Sequence, residues 1–431
     1  MTGFHDRDLE TLDPEALRAH QWSKLQGLAR TIHPANAFVA RRWQGAGVQS
    51  PHDLRSWDDF FRLPLTTKAE LADDQAAHPP FGSNLTYPLE RYVRVHQTSG
   101  TTGTPLRWLD TQESWDWWER CWGFVFRGAG LGPGDRVFFP FSFGLFIGLW
   151  SGFEGARALG CLAIPGGGQD SAQRLAAIES LCATAMCCTP SYALHLAEVA
   201  RERGVDLPKL GVRVTVHAGE PGAGIPSVRA RIEEAWGARA YDHAGMTEMG
   251  AYGYECEAQA GLHVNEAEFI AEVLDPATGR AAREGELVLT NLGRACSPLL
   301  RYRTGDRVRV ASGPCECGRT FTRLEGGILG RVDDMLIVRG VNVFPAALEG
   351  IVRRFSAVEE FTIEVYPRAE MDEVRLLLEV QGGAAHVPVA VQEAVRVDLG
   401  IRVEVVAVPL RSLPRYELKA RRLVRRATAP P

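Results

Sequence analysis

Between residues 136 and 236 short apolar runs alternate with longer amphipathic ones, and no other feature of the chain restricts its fold as much. The runs at 136–139, 161–164, 185–188 and 212–217 have strand length. The segments at 146–159, 172–181, 192–203 and 227–236 repeat apolar residues at helical spacing. Parallel neighbours need a long crossover, and a helical crossover covers one face of the sheet. The rhythm therefore predicts an α/β fold with helix-flanked parallel sheet. Residues 9–85 read as helical. After Gly261 strands and turns take over at 268–274, 286–289 and 307–310, which predicts a β-rich subdomain.

The last hundred residues read as a separate small α+β unit. Strand 335–338, helix 345–355, strands 359–365 and 374–380, helix 387–399, strand 403–408 and a basic helix from Lys419 make it up. With 431 residues the chain exceeds the size at which one core keeps growing. We expect a large N-terminal domain at 1–330, a polar hinge at 331–334 centred on Asp333, and a small mobile C-terminal domain at 335–431.

Charge removes several classes of function. A net charge of -5 and a pI of about 6.2 argue against a nucleic-acid-binding surface. The cluster Arg421, Arg422, Arg425 and Arg426 reads as a solvated tail. The most apolar stretch, 137–153, is broken by Pro140, Ser142, Gly144, Gly148 and Ser151, so no membrane span is expected. Residues 1–15 mix both charge signs and lack an apolar core, so no secretory signal is expected. Nine cysteines, an odd number, fit a reducing cytoplasm.

Two clusters carry chemistry. Thr98-Ser99-Gly100-Thr101-Thr102-Gly103-Thr104-Pro105 follows a strand-like run. Hydroxyls and permissive glycines in a row make a loop whose donors can converge on phosphate oxygens. It lacks the Gly-Lys-Ser/Thr ending of a Walker loop, and eight such residues exceed what a hairpin turn needs. The second cluster is Cys256, His263, Cys315 and Cys317. Cys-x-Cys-Gly is a good thiolate knuckle, and three Cys with one His suit a closed structural zinc site; buried free thiols are the alternative. Cys121, Cys161, Cys182, Cys187, Cys188 and Cys296 read as core.

The hydroxyl loop resembles the signature loop of the adenylate-forming superfamily of acyl-CoA synthetases, peptide-synthetase adenylation domains and luciferases. Four further blocks resemble that superfamily in order and spacing. They are Tyr241-Asp242-His243-Ala244-Gly245-Met246-Thr247-Glu248, Tyr302-Arg303-Thr304-Gly305-Asp306, the hinge stretch 330–340, and Pro414-Arg415-Tyr416-Glu417-Leu418-Lys419. Leu63-Pro64-Leu65-Thr66-Thr67-Lys68, Gly144-Leu145-Phe146 and Asn342-Val343-Phe344-Pro345 resemble the phenylacetate–CoA ligase family within it.

The resemblance implies ATP-dependent activation of a small aromatic carboxylic acid, release of pyrophosphate, and transfer of the acyl group to coenzyme A. It implies that Thr98, Ser99, Gly100, Thr101, Thr102 and Gly103 hold phosphates. Glu248 would bind magnesium, Thr247 the α-phosphate, and Asp306 the two ribose hydroxyls. Gly219, Glu220, Pro221, Asp242, His243 and Arg331 would line the nucleotide. Lys419 would bridge the acid and the α-phosphate. Phe141, Phe143, Phe146, His217, Ala244 and Gly245 would form the acid pocket. Two departures stand out. The family's Gly-Ala-Glu-Pro-Trp is Ala218-Gly219-Glu220-Pro221-Gly222 here, and Ala244 replaces a usual aromatic. Both suggest a roomier, more polar pocket, suited to a ring-substituted benzoate. The sequence leaves open delivery to a carrier protein or an amine, a non-catalytic binding protein, and a homodimer built through the N-terminal helices.

Overall fold

The alternating runs form an eight-stranded sheet, in the order 323–324, 262–264, 250–254, 239–246, 214–217, 185–188, 136–139 and 162–165. The last five strands are parallel, and the strand Gly250–Tyr254 turns the sheet antiparallel beside Arg239–Met246. The computed structural model describes residues 3–98, 105–338, 341–368, 371–382, 384–416 and 419–428. Strand order reverses at Arg136–Phe139: the chain goes next to Leu162–Pro165 on one side, then to Ala185–Cys188 on the other. Such a reversal opens a crevice at the carboxyl ends of the strands, the usual ligand position in a doubly wound sheet.

The helices have local causes. Asp13 caps Pro14–Ile32 through the N–H groups of Glu15 and Ala16. Thr189 caps Pro190–Arg203, whose proline sits at the first helical position, and Gly204 at φ 68° ends it. The helix Gln112–Gly128 carries the aromatic core: Trp115, Trp117, Trp118, Trp122, Phe124 and Phe126 are all buried. The helix Gly148–Ala158 crosses Trp122 closely. A Cβ on Gly155 would lie 2.4 Å from the Trp122 Cβ, so only glycine permits this approach.

The β-rich subdomain is a four-stranded antiparallel sheet of Phe269–Leu274, Glu284–Asn291, Tyr302–Arg309 and Gly330–Arg331. A separate hairpin, Tyr92–Gln97 with Arg107–Thr111, carries the hydroxyl loop. The C-terminal unit is a six-stranded sheet backed by Pro345–Val352 and Val387–Leu399, with a core of its own.

Its last element corrects the expectation of a basic helix from Lys419. Residues Leu423–Arg425 are a strand, parallel to Val358–Arg368. The neighbouring arginines are not simply solvated either. Arg422 is buried and pairs with Glu360 and Glu349, and Arg426 pairs with Glu364. Arg422 and Arg426 flank the strand and meet Glu360 and Glu364 on the adjoining strand and Glu349 on the helix Pro345–Val352, so sheet pairing overrides the tail composition. Cys182 also departs from the core reading, since it is exposed in a turn at φ 48°.

The C-terminal unit is docked on the helices Pro190–Arg203 and Pro226–Trp236. Ser227 Oγ donates to Gly350 O at 2.7 Å and Arg231 to Val358 O at 3.0 Å. Arg415 joins Glu198 at 2.9 Å to Glu379 at 2.7 Å. Among the described residues, no helix is long and apolar enough to cross a membrane.

Candidate active site

Four parallel strands deliver side chains to one crevice at their carboxyl ends. Phe141 follows Arg136–Phe139, Ser191 follows Ala185–Cys188, Gly219 and Glu220 follow Val214–His217, and Thr247 and Glu248 follow Arg239–Met246. The β-rich subdomain adds Asp306 and Arg331, neighbours across the pairing of Tyr302–Arg309 with Gly330–Arg331.

Asp306 accepts from Tyr252 Oη at 3.0 Å and from Arg331 at 3.0 Å, and Arg331 also donates to Thr304 O at 2.6 Å. Burial raises the Asp306 carboxyl above its ordinary value, and Arg331 and Tyr252 oppose that rise. Gly305 sits at φ 73°, and a Cβ there would lie 2.7 Å from an Arg331 nitrogen. Glycine is what lets the guanidinium lie over this turn.

Lys419 comes from the other unit. A Cβ on Gly219 would meet the Lys419 Cε at 3.2 Å, and the ammonium lies 5.8 Å from the Phe146 ring centre. Desolvation lowers the ammonium below its ordinary value, while Glu220, Glu248 and Asp306 pull it back up. The structure thus brings Gly219, Glu220, Glu248, Asp306, Arg331, Phe146 and Lys419 together.

Glu220 has a specific occupation. Its carboxylate accepts from Ser191 N at 2.9 Å and from Ala420 N at 2.5 Å, tying the segment after Lys419 to the start of Pro190–Arg203. Arg422 reaches Ser191 Oγ at 2.9 Å from the same direction. Gly222 stands where the family has tryptophan because a Cβ there would overlap Pro190 at 1.9 Å.

The aromatics form one group. Phe141 lies 5.6 Å from Phe143 and 6.5 Å from Phe146, and Phe143 packs on Trp150 at 4.2 Å. His243 lies 4.4 Å from Trp122 and gives its Nδ1 to Gly253 O at 2.7 Å. His217 is enclosed in the sheet, with Nε2 at 2.8 Å from Thr215 Oγ1. Burial pushes both imidazoles down to about 4, so they are neutral. Ala244 packs against Gly253, and Gly245 opens outward. The Asp242 carboxyl faces Gly224 and Gly327. Desolvation, then the charge of Glu255, push it up to about 7.

Of the phosphate loop, Thr98 is described and residues 99–104, with Ser99, Gly100, Thr101, Thr102 and Gly103, lie outside the described residues. Thr98 closes the loop base: its N–H donates to Leu106 O at 2.9 Å, and its Oγ1 accepts from Leu106 N at 3.0 Å. The turn Val332–Asp334 holds Asp333, whose side chain lies outside the described residues. Pro221 follows Glu220 without a role in these contacts.

Three neighbours went unread in the sequence. Lys68 Nζ is 3.9 Å from Glu248 Oε1, Tyr252 holds Asp306, and Trp122 underlies His243. Lys68 stood in the quoted Leu63-to-Lys68 stretch, which was a usable signal; Tyr252 and Trp122 had none beyond an apolar pattern.

Away from the crevice, Cys256, His263, Cys315 and Cys317 converge, their donor atoms all within 4.8 Å of one another. Cys256 and Cys315 are 3.6 Å apart, and Cys317 lies 3.5 Å from His263 Nε2. His263 Nδ1 faces Phe321 O at 3.4 Å, which leaves Nε2 free to act as a ligand. The hydrogen bond between Cys256 and Cys317 pushes Cys317 well below, and Cys256 well above, the ordinary thiol value. Three thiol groups and one imidazole nitrogen this close together are a donor set that fits zinc.

The family profile described as AMP-binding enzyme C-terminal domain matches residues 340–426. The chain is 36% identical to a phenylacetate-coenzyme A ligase of Thermus thermophilus over 384 residues, 88% of this chain and 84% of that protein. It is similar in structure to 2-hydroxyisobutyryl-CoA ligase in the postadenylation state, with TM-score 0.92 and 32% identity over 98% of this chain and 92% of that one. Against the same ligase in the thioesterification state the TM-score is 0.73, with 34% identity over 97% and 91%.

Proposed function

The chain belongs to the phenylacetate–coenzyme A ligase family and is an adenylate-forming acid–thiol ligase, and from that premise we propose that its acid is a small aromatic carboxylate and that the crevice at the sheet's carboxyl edge performs the adenylation. One observation carries the reading: Lys419 of the C-terminal unit lies over the Phe146 ring within electrostatic reach of Glu248, Asp306 and Arg331.

Adenylation brings a carboxylate against the α-phosphorus of ATP, so two anions must approach. Fixed positive charge and oriented donors are what lower that barrier. Lys419 supplies the charge where acid and α-phosphate meet, and the Phe146 ring below it orients a flat acid by stacking. Thr247 donates to the α-phosphate. The Asp306 carboxylate, held by Tyr252 and Arg331, accepts from the vicinal ribose hydroxyls. Residues 98–103 hold the outer phosphates. Glu248 would hold magnesium, which neutralises phosphate charge when bound.

Thiol attack on the acyl-adenylate needs the Lys419 side of the crevice vacated. The higher similarity to the postadenylation state supports a docked arrangement suited to the first step. Rotation about a hinge at 331–334, between domains at 1–330 and 335–431, would then admit coenzyme A. The Cys256, His263, Cys315 and Cys317 quartet would hold a structural zinc. Metal content of the purified protein, and its loss in Cys317→Ser, test that assignment; a metal-free, equally stable wild type contradicts it.

A second reading has its own support. The relative in the postadenylation comparison acts on 2-hydroxyisobutyrate, and Ala244 leaves out an aromatic wall. Steady-state kinetics with phenylacetate, benzoate, hydroxybenzoates, aminobenzoates and 2-hydroxyisobutyrate decide between them. Highest kcat/KM with an aromatic acid supports the proposal, and highest with the hydroxy acid replaces it. Turnover only when a carrier protein or an amine replaces coenzyme A would move the acceptor.

A further inference from the structure

Behind Thr247 and Glu248 lies a charged pair that the chemistry above does not use. Arg294 and Asp110 are both 0% exposed. The guanidinium grips the carboxylate with both edges, Nε to Oδ1 at 2.8 Å and Nη2 to Oδ2 at 2.7 Å. Its remaining nitrogen donates to two backbone carbonyls, Thr247 O at 2.7 Å and Glu248 O at 3.0 Å. The rings of Trp108 and Trp118 flank it, each 5.4 Å from the central carbon. Ser114 Oγ donates to Asp110 Oδ1 at 2.9 Å.

The two ends of this brace matter. Asp110 lies on Arg107–Thr111, the hairpin strand whose start closes the phosphate loop through Leu106 and Thr98. Thr247 and Glu248 form the turn between Arg239–Met246 and Gly250–Tyr254. One guanidinium therefore ties together two parts of the nucleotide site that meet nowhere else in sequence.

Core stability alone does not call for such a pair. An apolar pair of similar volume avoids the desolvation cost and often stabilises as well or better. What an apolar pair lacks is direction. The planar fork can hold a carboxylate and two carbonyls at fixed angles, which an ammonium cannot do.

We propose that Arg294 is a positioning residue of the adenylation step, fixing the turn that bears Thr247 and Glu248 against the hairpin strand Arg107–Thr111. The proposal rests on the roles given to those two residues above. Its consequence falls chiefly on the first half-reaction, because attack of the thiol on a finished acyl-adenylate keeps the Thr247 contact to the α-phosphate but does not need the outer phosphates or the magnesium carboxylate.

Arg294→Lys keeps the charge and loses the fork. Three readouts separate the outcomes: pyrophosphate release, the magnesium concentration for half-maximal rate, and conversion of supplied acyl-adenylate and coenzyme A to thioester. The expected result is a folded protein whose pyrophosphate release falls about tenfold or more. Its magnesium requirement rises, and its thioester conversion falls at least severalfold less than its pyrophosphate release. Wild-type pyrophosphate release and magnesium dependence in the folded variant overturn the proposal. Equal loss of both half-reactions also overturns it, since that is what a merely structural pair would produce. Where Arg294→Lys does not fold, Asp110→Asn severs the link to the hairpin and is read the same way; failure of both to fold reduces the pair to a structural role and ends the proposal. Absence of adenylation in the wild type would instead sink the underlying functional reading.

Discussion

The crevice has two walls held in contrasting ways. One wall is Thr247, Glu248 and Asp306, braced by the Arg294–Asp110 pair at 0% exposure and by the buried hydroxyl of Tyr252. The other is Lys419, held through backbone contacts to Glu220 and through side-chain pairs at the edge of the docked unit. Several of those pairs are largely exposed: Arg201, which pairs with Glu359, is 58% exposed, and Arg411, which pairs with Glu202, is 70% exposed. Exposed pairs contribute little and are screened by salt. The nucleotide wall is thus braced by fully buried charge, whereas the lysine wall is held by a mixture of buried and exposed pairs, as the rotation proposed above requires.

Mutations at the two walls should therefore separate the half-reactions. Lys419→Ala removes the charge between the two anions. We expect pyrophosphate release to fall roughly a hundredfold to a thousandfold, with thioester formation from supplied acyl-adenylate intact. Loss of both together would mean the lysine serves folding or both steps. Asp306→Asn weakens the ribose contact of the fixed wall, and the KM for ATP should rise about tenfold, as expected for hydrogen bonds to a charged group. An unchanged KM would remove the ribose from that carboxylate.

Glu220→Ala frees the segment after Lys419 and removes one of the carboxylates that hold the lysine protonated. Adenylation should slow about tenfold, in keeping with the loss of two backbone hydrogen bonds to a carboxylate. Delivery to coenzyme A should hold or improve. A rise in the KM for ATP alone would return Glu220 to nucleotide binding. The pH profile of adenylation sharpens the same point. Desolvation lowers the Lys419 pKa, so the protonated fraction falls as pH rises through a value below that of a free lysine, near 10.4. The alkaline limb of adenylation should sit below that pH and move upward in Lys419→Arg; an unmoved limb assigns it to another group. Smallest of all, Arg201→Ala should change the ratio of the two half-reaction rates less than about twofold, and its effect should vanish at high salt.

Much of this was legible in the sequence, for a physical reason. The parallel strands announced themselves because buried strands and amphipathic crossovers differ in period. Glu248, Asp306, Arg331 and Lys419 were singled out by the resemblance of their short motifs to those of the adenylate-forming superfamily. Cys256, His263, Cys315 and Cys317 could all be named from their spacing, and the structure brings their donor atoms together.

What stayed hidden depends on tertiary placement. The segment after Lys419 looks like a basic helix until Glu349, Glu360 and Glu364 are seen lying against it as a strand. Glu220 reads as a nucleotide residue, and only the structure shows that Ala420 N also lies on its carboxylate. Arg294 lies in an unremarkable run, and its partners are 184 and about 47 residues away. His217 was expected at the acid pocket and His243 at the nucleotide; the hidden part is that burial makes both neutral and that His217 Nε2 lies near Thr215 and His243 Nδ1 near Gly253. No local pattern encodes such contacts.

The most direct measurement is a two-stage reaction followed by product mass. The protein is incubated with ATP, magnesium and its best acid, sampled, then given coenzyme A and sampled again. The two-wall arrangement predicts an acyl-adenylate with one pyrophosphate released before coenzyme A is added, and its conversion to acyl-CoA and AMP afterwards. Formation of ADP and phosphate, or no acyl-adenylate until coenzyme A is present, would contradict it.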